Sequence, residues 1–329
     1  RQPEEDAASR YERALAARSA GDVLRKLDQK QQALEAYAES ESLLKTLAES
    51  DPAATIYRRD LAGIYNQEAL VQQDNGKLDL ADNALRRGLS VFEELAKQEP
   101  DDPDYIRQQA TIWNNLGVLA GQRKDPQSAA ECFSRAVQLR EGLLVEDPRH
   151  AEIQFELIDS QMNLSTAFIR LKNLAAASEL LKSVVQRHEL LPNSLKLRAQ
   201  TRYSRAGAHL NLGSLLDQLG DKDSAIVEDT RGIKLLTELA RDYPQVPGYL
   251  QATAEAELNL GKVWLSRNDL SQSVRLFESA QTRFRGLAKE FPQETRYIQM
   301  VERLEPGIQQ LRDAIQEFDR PLPPELPEG

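Results

Sequence analysis

Cysteine, positive charge and long apolar runs are all scarce in this sequence, and each scarcity excludes a class of protein. The single cysteine, Cys132, excludes a disulfide framework within these 329 residues and any metal site built from several cysteines. With 42 Lys and Arg against 52 Asp and Glu, the net charge is −10, opposite in sign to that of a compact nucleic-acid binder. No apolar run approaches the roughly 18 residues of a membrane span, so we predict no direct membrane insertion.

Glycine and proline are also few, 16 and 15 residues, and several of the prolines are regularly spaced. A proline and a leucine each recur at intervals of 48 residues, and we call such a set of equivalent positions a column. Their members are Pro52, Pro100, Pro148, Pro244 and Pro292, and Leu47, Leu95, Leu143, Leu191, Leu239 and Leu287. The proline column fails only at Lys196, and Pro192 lies four residues earlier, so we expect this fourth junction to be locally rebuilt. A fixed period of this length is typical of a repeat protein.

Each period is interpreted as two α-helices. The stretches between junctions are rich in Ala, Leu, Glu, Gln, Arg and Lys, which favour helix, and their apolar residues recur at spacings of three and four. We expect antiparallel helices of about 20 residues, about 30 Å long. The first helix of a pair should end at stop-and-cap segments such as Lys124-Asp125, and the second should end at the proline column. The predicted repeats are roughly 5–52, 53–100, 101–148, 149–196, 197–244 and 245–292, followed by a capping helix at 293–318 and a Pro-rich linker or tail at 319–329.

Two columns predict how the helices of a pair pack. Small residues recur in the middle of the first helix, although glycine there costs about 1 kcal/mol relative to alanine. Bulky residues recur at one position of the second helix, and we expect each to fill the space that its small partner leaves. The small column is Gly21, Ala69, Gly117, Ser165, Gly213 and Gly261, and the bulky column is Tyr37, Leu85, Phe133, Leu181, Asp229 and Phe277. Asp229 is the one charged member of the bulky column.

The third repeat resembles the tetratricopeptide repeat (TPR), with the spacing Trp-x₂-Leu-Gly followed by Ala-x₃-Phe-x₂-Ala. The matching residues are Trp113, Leu116, Gly117, Ala129, Phe133 and Ala136. Ala120 stands where that family has tyrosine. The resemblance covers about residues 5–292, and because the period exceeds the family's 34 residues, the helices resemble the extended pairs of kinesin-light-chain-type repeats. It implies an all-α, right-handed α-α superhelix of six antiparallel helix pairs plus a C-terminal capping helix.

Short sequence motifs within the repeats resemble those of a second group of proteins. The segments Leu-Ala-x₃-Pro, Tyr-Arg-x₂-Leu-Ala and Asn-Leu-Gly are similar to the long repeat tails of some bacterial serine/threonine protein kinases, although no kinase motif occurs here. This implies the recruiting or sensing arm of a larger bacterial signalling protein, with a protein or peptide as its partner. Because the chain opens at Arg1, we expect a soluble piece of such a parent, either cytoplasmic or on the extracytoplasmic side of a membrane-anchored protein.

In the TPR family the first helices line the concave, partner-binding face, beside the Trp and Gly columns. The residues assigned in this way to a binding wall are Asn66, Leu70, Gln73, Thr111, Asn114, Val118, Asp159, Met162, Thr166, Ile169, Leu210, Ser214, Asp217, Leu258, Lys262 and Leu265. One column of this wall, Met162, Leu210 and Leu258, is apolar, which favours a groove for an apolar peptide or an amphipathic helix. The alternative, weighed equally, is that tight packing of long helices simply buries these residues.

Other columns bear on the partner. The lysine and asparagine positions with which some TPR proteins grip chaperone C-termini are not kept here, so a chaperone tail is not the expected partner. A further column, Asn115, Asn163, Asn211 and Asn259, could bind a ligand backbone, but hydrogen bonds to a neighbouring helix are favoured. We expect a monomer or weak homo-oligomer that binds no nucleic acid. The alternative function is a structural module that assembles with copies of itself.

Catalytic and cofactor-binding motifs are missing. The three histidines, His150, His188 and His209, fall at unrelated repeat positions, and His209 occupies the column of Trp113, which favours a structural role. Glycine-rich phosphate loops do not occur. We predict no enzymatic activity, no catalytic residue, no cofactor and no metal. Pro306 predicts a kink or break of the capping helix near Glu305.

Overall fold

The computed structural model describes residues 6–318, and within that range the chain forms helices joined by short turns, with no β-strand. The all-α prediction of six helix pairs and a terminal helix is confirmed. The first helices are α1 (Ala7–Lys26), α3 (Thr55–Asp74), α5 (Pro103–Gln122), α7 (Ala151–Arg170), α10 (Ala199–Gln218) and α12 (Pro247–Ser266). The second helices are α2 (Lys30–Ser50), α4 (Leu78–Gln98), α6 (Pro126–Glu146), α8 (Leu174–Leu190), α11 (Lys222–Asp242) and α13 (Leu270–Glu290). The short α9 (Asn193–Lys196) and the terminal α14 (Thr295–Phe318) complete the set, and the predicted tail at 319–329 lies outside the described residues.

The 48-residue period of the sequence reappears in the helix starts. First helices begin at residue 7 and then at every 48th residue up to 247, and α14 begins at 295, where a seventh first helix would start. Second helices begin at residue 30 and then at every 48th residue up to 270. Every repeat therefore uses the same helix starts.

Each helix pair turns at one residue in the left-handed backbone conformation. This residue recurs every 48 positions, with φ between 58° and 87°, at Asp28, Gly76, Lys124, Lys172, Gly220 and Asn268. A left-handed residue stops a helix, so the next residue is free to begin the second one. In three pairs that next residue is Asp125, Asp221 or Asp269, and its carboxylate accepts an N–H from the first turn of the second helix. The stop-and-cap segments therefore act as the sequence predicts.

The fourth junction differs from the others, as the early proline predicts. Helix α8 has 17 residues where the other second helices have 21, and it ends at Leu190. Pro192 then starts the one-turn helix α9, and α10 begins at Ala199. Leu191 and Leu195 are buried, so the rebuilt segment is part of the core.

Of the kink or break predicted in the capping helix, the break is wrong, because α14 continues through Pro306, and the kink stays a prediction. A proline inside a helix leaves the carbonyl four residues earlier, here that of Glu302, without its N–H donor. Both Pro306 and Glu302 are exposed, so that carbonyl faces water. The free-energy cost of its missing hydrogen bond is therefore small.

The contacts divide the chain into two compact units, Arg1–Ala177 and Ser178–Gly329, with the boundary inside α8. In the first unit, apolar residues of α1 to α5 form cores around Tyr37 and Phe92. In the second unit, α12, α13 and α14 enclose Phe284, and α10, α11 and α12 meet around Leu236. Each core is built from consecutive helices, as in other repeat proteins.

Small and bulky residues meet within the pairs as predicted. A Cβ added to Gly117 would lie 2.6 Å from the ring of Phe133, and one added to Gly261 would lie 2.5 Å from the ring of Phe277. The second repeat uses a different combination, Ala69 and Leu85, both buried in one core. The helices therefore approach closely enough that the size of one side chain sets the size of its partner.

Candidate functional site

On the first helices of the first unit, asparagines join one repeat to the next. Asn115 donates a hydrogen bond to Asn66 (2.8 Å), and Asn163 donates one to Asn114 (3.2 Å). The hydroxyl of Ser160 also donates to Asn114, at 2.9 Å. In these repeats the asparagine column bonds to the neighbouring helix, which is the favoured of its two interpretations. Two residues of the predicted wall, Asn66 and Asn114, are the acceptors.

A buried arginine lies behind this face. Arg140 of α6 donates to Ser160 of α7, and its Nη2 donates to the hydroxyl of Thr111 of α5 at 3.4 Å. Its Nε lies 3.5 Å from Glu156, which also forms a 2.5 Å ion pair with Arg107. Burial lowers the pKa of Arg140, and Glu156 opposes that shift. The network ties three helices together and uses the wall residue Thr111 as one of its acceptors.

A cleft of about 340 Å³ opens between α5 and α7 of the first unit. Its lining includes Val118 and Thr166 of the predicted wall, the ring of Phe133, and the guanidinium of Arg170. Arg170 also donates to the carbonyl of Gly121 at 3.3 Å. Among the described residues, no carboxylate lines this first-unit cleft.

A second cleft, of about 440 Å³, opens between α10 and α12 of the second unit. Four of its lining residues belong to the predicted wall, namely Leu210, Ser214, Asp217 and Lys262. Sequence reasoning missed Tyr203 and Glu255 at this second-unit cleft, because nothing in their repeat position marks them.

The two clefts occupy equivalent repeat positions, two periods apart. The lining pairs that correspond in this way are Val118 and Ser214, Gly121 and Asp217, Phe133 and Asp229, Asn163 and Asn259, and Thr166 and Lys262. The same backbone therefore presents a neutral aromatic floor in one cleft and a carboxylate floor in the other.

The remaining wall residues lie outside both clefts. Leu70, Gln73, Met162 and Ile169 are half-buried, and Asp159 and Leu265 are exposed. Leu258 is only 8% exposed and packs with Phe284 and Val301, so the alternative of simple burial describes this residue. Leu210, in the same column, lines the second-unit cleft. The full wall stays a prediction.

The first unit also has a larger groove that the sequence did not indicate. It measures about 640 Å³ and lies between α6 and the end of α7, bounded by Glu131, Arg135 and Phe168. Its charged residues have opposite signs, so it has no clear preference for one ligand charge.

The Trp113 column holds polar residues in the second unit, and each has a partner on the second helix of its pair. His209 of α10 lies 2.6 Å from Glu228 of α11. Glu257 of α12 is 4% exposed and accepts hydrogen bonds from Arg283 and Ser279 of α13, both at 2.9 Å. These pairs occupy the position that Trp113 holds in the third repeat, so His209 links α10 to α11 and has a structural role.

His188 is fully buried beside Ser204, whose hydroxyl lies 3.4 Å from its Nε2. Burial lowers the pKa of His188 to about 4, with Arg205 and His209 adding to the shift, so this ring is neutral at pH 7. Within residues 6–318 no group of three His, Cys, Asp or Glu side chains is arranged to hold a metal ion.

Asp229 forms the floor of the second-unit cleft. It is 4% exposed and packs directly against Gly213, where other repeats place Tyr37 or Phe133. Its carboxylate forms no hydrogen bond or ion pair with any residue of the described range. Burial raises its pKa to about 7, and the charges of Asp217 and Glu228 add to the rise. The only sequence signal was a charged residue in an apolar column.

Replacing Asp229 by asparagine should flatten the pH dependence of stability. The group ionises near 3.8 when unfolded and near 7 when folded, so the folded state binds more protons between these values and stability falls as pH rises through this window. Asparagine cannot ionise, so Asp229→Asn should be the more stable form at pH 8, by on the order of 2 kcal/mol after allowing for water in the cleft.

Thermal unfolding of both forms at pH 5 and pH 8 tests this. The other charges near position 229 are Asp217 on α10, Glu228 on α11, and Glu255 and Lys262 on α12, and the substitution leaves them all in place. Parallel pH profiles for the two forms would contradict the prediction.

Comparison with known proteins agrees with the fold. Residues 66–143 match one family model described as a tetratricopeptide repeat, and residues 206–228 match a second. No curated protein sequence gives a significant match. Within residues 6–318 no helix is both long and apolar enough to cross a membrane.

Three solved structures are similar in fold. BtubC (BKLC) from P. vanneervenii is 19% identical, with 91% of this chain and 97% of that one covered and a TM-score of 0.56. A putative kinesin light chain with nearly identical TPR-like repeats, from Podospora anserina, is 16% identical, with 72% and 100% covered and a TM-score of 0.52. A signal transduction ATPase with a tetratricopeptide repeat sensor, from Pyrococcus horikoshii, is 9% identical, with 95% and 44% covered and a TM-score of 0.61. At these identities the similarity concerns the fold alone.

Proposed function

We propose that this chain is a non-catalytic interaction scaffold whose first helices bind a segment of a partner protein or a peptide. The observation that carries the proposal is the pair of clefts at equivalent repeat positions, each bounded by two first helices. Tetratricopeptide repeats generally act as scaffolds rather than as catalysts. Repeat proteins bind through extended surfaces formed by equivalent positions of successive repeats. Clefts at such positions are therefore suited to bind side chains of a partner.

The size of the clefts indicates the kind of ligand. Volumes of about 340 and 440 Å³ lie at the low end of the range for small-molecule pockets. Each can hold one or two side chains of a segment whose backbone stays on the surface. A peptide anchored by a few side chains fits this arrangement better than an enclosed cofactor does.

We further propose that the chain is the recruiting or sensing arm of a larger bacterial signalling protein, with a serine/threonine kinase as the candidate parent. The kinase-like wording of the repeats supports this, as does the structure from Pyrococcus horikoshii, where a tetratricopeptide repeat is the sensor of a signal transduction ATPase. A parent gene product without any signalling domain would overturn this part of the proposal.

Arginine substitutions that fill the clefts test the binding function. Thr166 in the first-unit cleft and Ser214 in the second-unit cleft are exposed, so Thr166→Arg and Ser214→Arg should leave the fold intact. Peptides selected from a random phage-displayed library on the unmodified chain are synthesised, and their affinities are measured by fluorescence anisotropy. Each peptide should bind at least about tenfold more weakly to one of the two variants, because the added side chain occupies its seat.

The matched controls are Thr46→Arg on α2 and Thr282→Arg on α13, which add the same side chain at exposed positions outside both clefts. Their affinities should stay within about twofold of the unmodified chain. The proposal fails if no peptide is selected, or if every selected peptide binds both cleft variants as tightly as the controls.

A further inference from the structure

We propose that the second-unit cleft binds a lysine or arginine side chain of the partner segment, whose cationic group pairs with the carboxylate of Asp229. This rests on the proposed function and specifies what one of the two clefts recognises.

The floor of the cleft is an aspartate where the repeat calls for a bulky apolar side chain. Tyr37, Phe133 and Phe277 place a ring over the small column at this position. Asp229 reaches Gly213 with its carboxylate instead. A carboxylate is smaller than a ring, so the substitution leaves space above the floor and places a charged group at its base.

Asp229 is 4% exposed, and among residues 6–318 its carboxylate has no hydrogen-bond or ion-pair partner, unlike two other acidic groups of this unit. Glu257 is bonded to Arg283, and Glu228 is bonded to His209 and to Arg231. An ionisable group that is buried and unpaired is unfavourable, so such a group in a folded protein calls for an explanation. The cation of a ligand would supply the missing partner.

The rim of the cleft favours a positive ligand with an apolar stem. Within residues 6–318, three carboxyl groups line the cleft, those of Asp217, Asp229 and Glu255, against one cation, Lys262. The ammonium of Lys262 lies 3.3 Å from Asn259 of its own helix, so it is engaged there.

Apolar groups complete the lining. Leu210, Ala252 and Ala256 offer contacts for methylene groups, and the exposed ring of Tyr203 can stack on a cation. Lysine and arginine combine such a stem with a charged end. A metal ion fits less well, because these carboxylates are not arranged as a metal site.

The first-unit cleft serves as an internal contrast. It has Phe133 in place of Asp229 and Gly121 in place of Asp217, and among the described residues that line it Arg170 is the one charged side chain. A basic side chain would be repelled there. Recognition of a basic residue is therefore expected of the second-unit cleft alone.

Peptide selection on two forms of the chain tests the proposal. A random nonapeptide phage library is panned on the unmodified chain and on Asp229→Leu, which carries the residue that Leu85 and Leu181 provide at the same repeat position. The pool from the unmodified chain should show Arg or Lys enriched at one fixed position, and the pool from Asp229→Leu should not. The best peptide should bind Asp229→Leu at least about tenfold more weakly.

A peptide analogue and two controls complete the design. Replacing the basic residue of the peptide by glutamine should weaken its binding to the unmodified chain by the same factor as Asp229→Leu does. It should not weaken binding to Asp229→Leu any further, because the ion pair is already absent there. Glu290→Gln removes one negative charge outside the cleft and should leave affinity within about twofold. Circular dichroism confirms that each variant is folded.

Two outcomes would overturn the proposal while the binding function stands. In the first, the selected peptides bind Ser214→Arg more weakly, so they use the cleft, but they have no enriched Arg or Lys. The same conclusion follows if peptides selected on Asp229→Leu still have the enriched basic residue. In the second, the peptides need their basic residue for binding, but the preference for it is lost in Asp217→Asn and kept in Asp229→Leu. If no peptide is selected at all, the binding function fails together with this inference.

Discussion

Replacing Arg283 by methionine is expected to lower the free energy of unfolding of the second unit by about 3 kcal/mol, because it removes one partner of a buried ion pair. Arg283 Nε lies 2.9 Å from Glu257, whose side chain is 6% exposed. Without the guanidinium, the hydroxyl of Ser279 is the one donor that Glu257 keeps in the described range. A buried carboxylate with one neutral hydrogen bond is far less favourable than one in an ion pair.

The chain has two tryptophans, one in each unit, which allows this measurement to be local. In a Trp113→Phe background, the fluorescence of Trp264 reports denaturant unfolding of the second unit. Arg285→Met, two residues along the same helix at a mostly exposed position, is the control and should change stability by less than about 0.5 kcal/mol.

The double variant Glu257→Met/Arg283→Met separates a lost pair from a lost side chain. Replacing both partners by apolar residues leaves no buried charge, so most of the stability should return. If the double variant is as unstable as Arg283→Met alone, the loss comes from packing of the arginine stem and not from the orphaned carboxylate.

Replacing Gly117 by alanine is expected to destabilise the first unit by about 2 kcal/mol, although alanine is the better helix former. The new Cβ would lie 2.6 Å from two ring carbons of Phe133, well inside van der Waals contact. Phe133 is only 6% exposed, so moving its ring toward the cleft that it lines would give up most of its packing. The two helices must therefore separate or the ring must leave its preferred rotamer.

The chain offers matched controls for this prediction. Gly63→Ala and Gly142→Ala place a Cβ where no atom lies within 4 Å, so each should stabilise the protein by about 0.5–1 kcal/mol. Gly117→Ala/Phe133→Leu recreates the Ala69 and Leu85 combination of the second repeat and should recover most of the loss. Unfolding is followed by Trp113 fluorescence in a Trp264→Phe background. A stabilised Gly117→Ala would contradict the close approach of α5 and α6.

The helices could be predicted from the sequence because their signals are local. Asp125 and Asp221 stand at the start of second helices, and the left-handed turn residue before each of them ends the first helix. Because the sequence recurs every 48 residues, the same left-handed turn between helices forms in every pair. The break expected at Pro306 does not occur, because the cost of a proline in a helix depends on whether the freed carbonyl meets water, and exposure is a property of the folded chain.

The candidate site could be predicted only in part. The repeat position of Ser214 and Asp217 was enough to place them on the face of the first helices where a cleft opens. The same reasoning placed Leu258 on that face, yet the core around Phe284 encloses it. Position within a helix determines which face a residue occupies, whereas burial depends on which other helices cover that face.

By itself, the sequence determined the repeat length, the helix boundaries and the pairing of small with bulky residues, because each depends on spacing along the chain and on local conformational preference. Only the tertiary structure decided which polar groups find partners. Glu257 meets Arg283 across a helix pair, while Asp229 meets no partner in the described part of the chain and forms the floor of an open cleft. The physical reason is that hydrogen bonding and burial of a side chain depend on atoms from several helices, whose meeting no single stretch of sequence specifies.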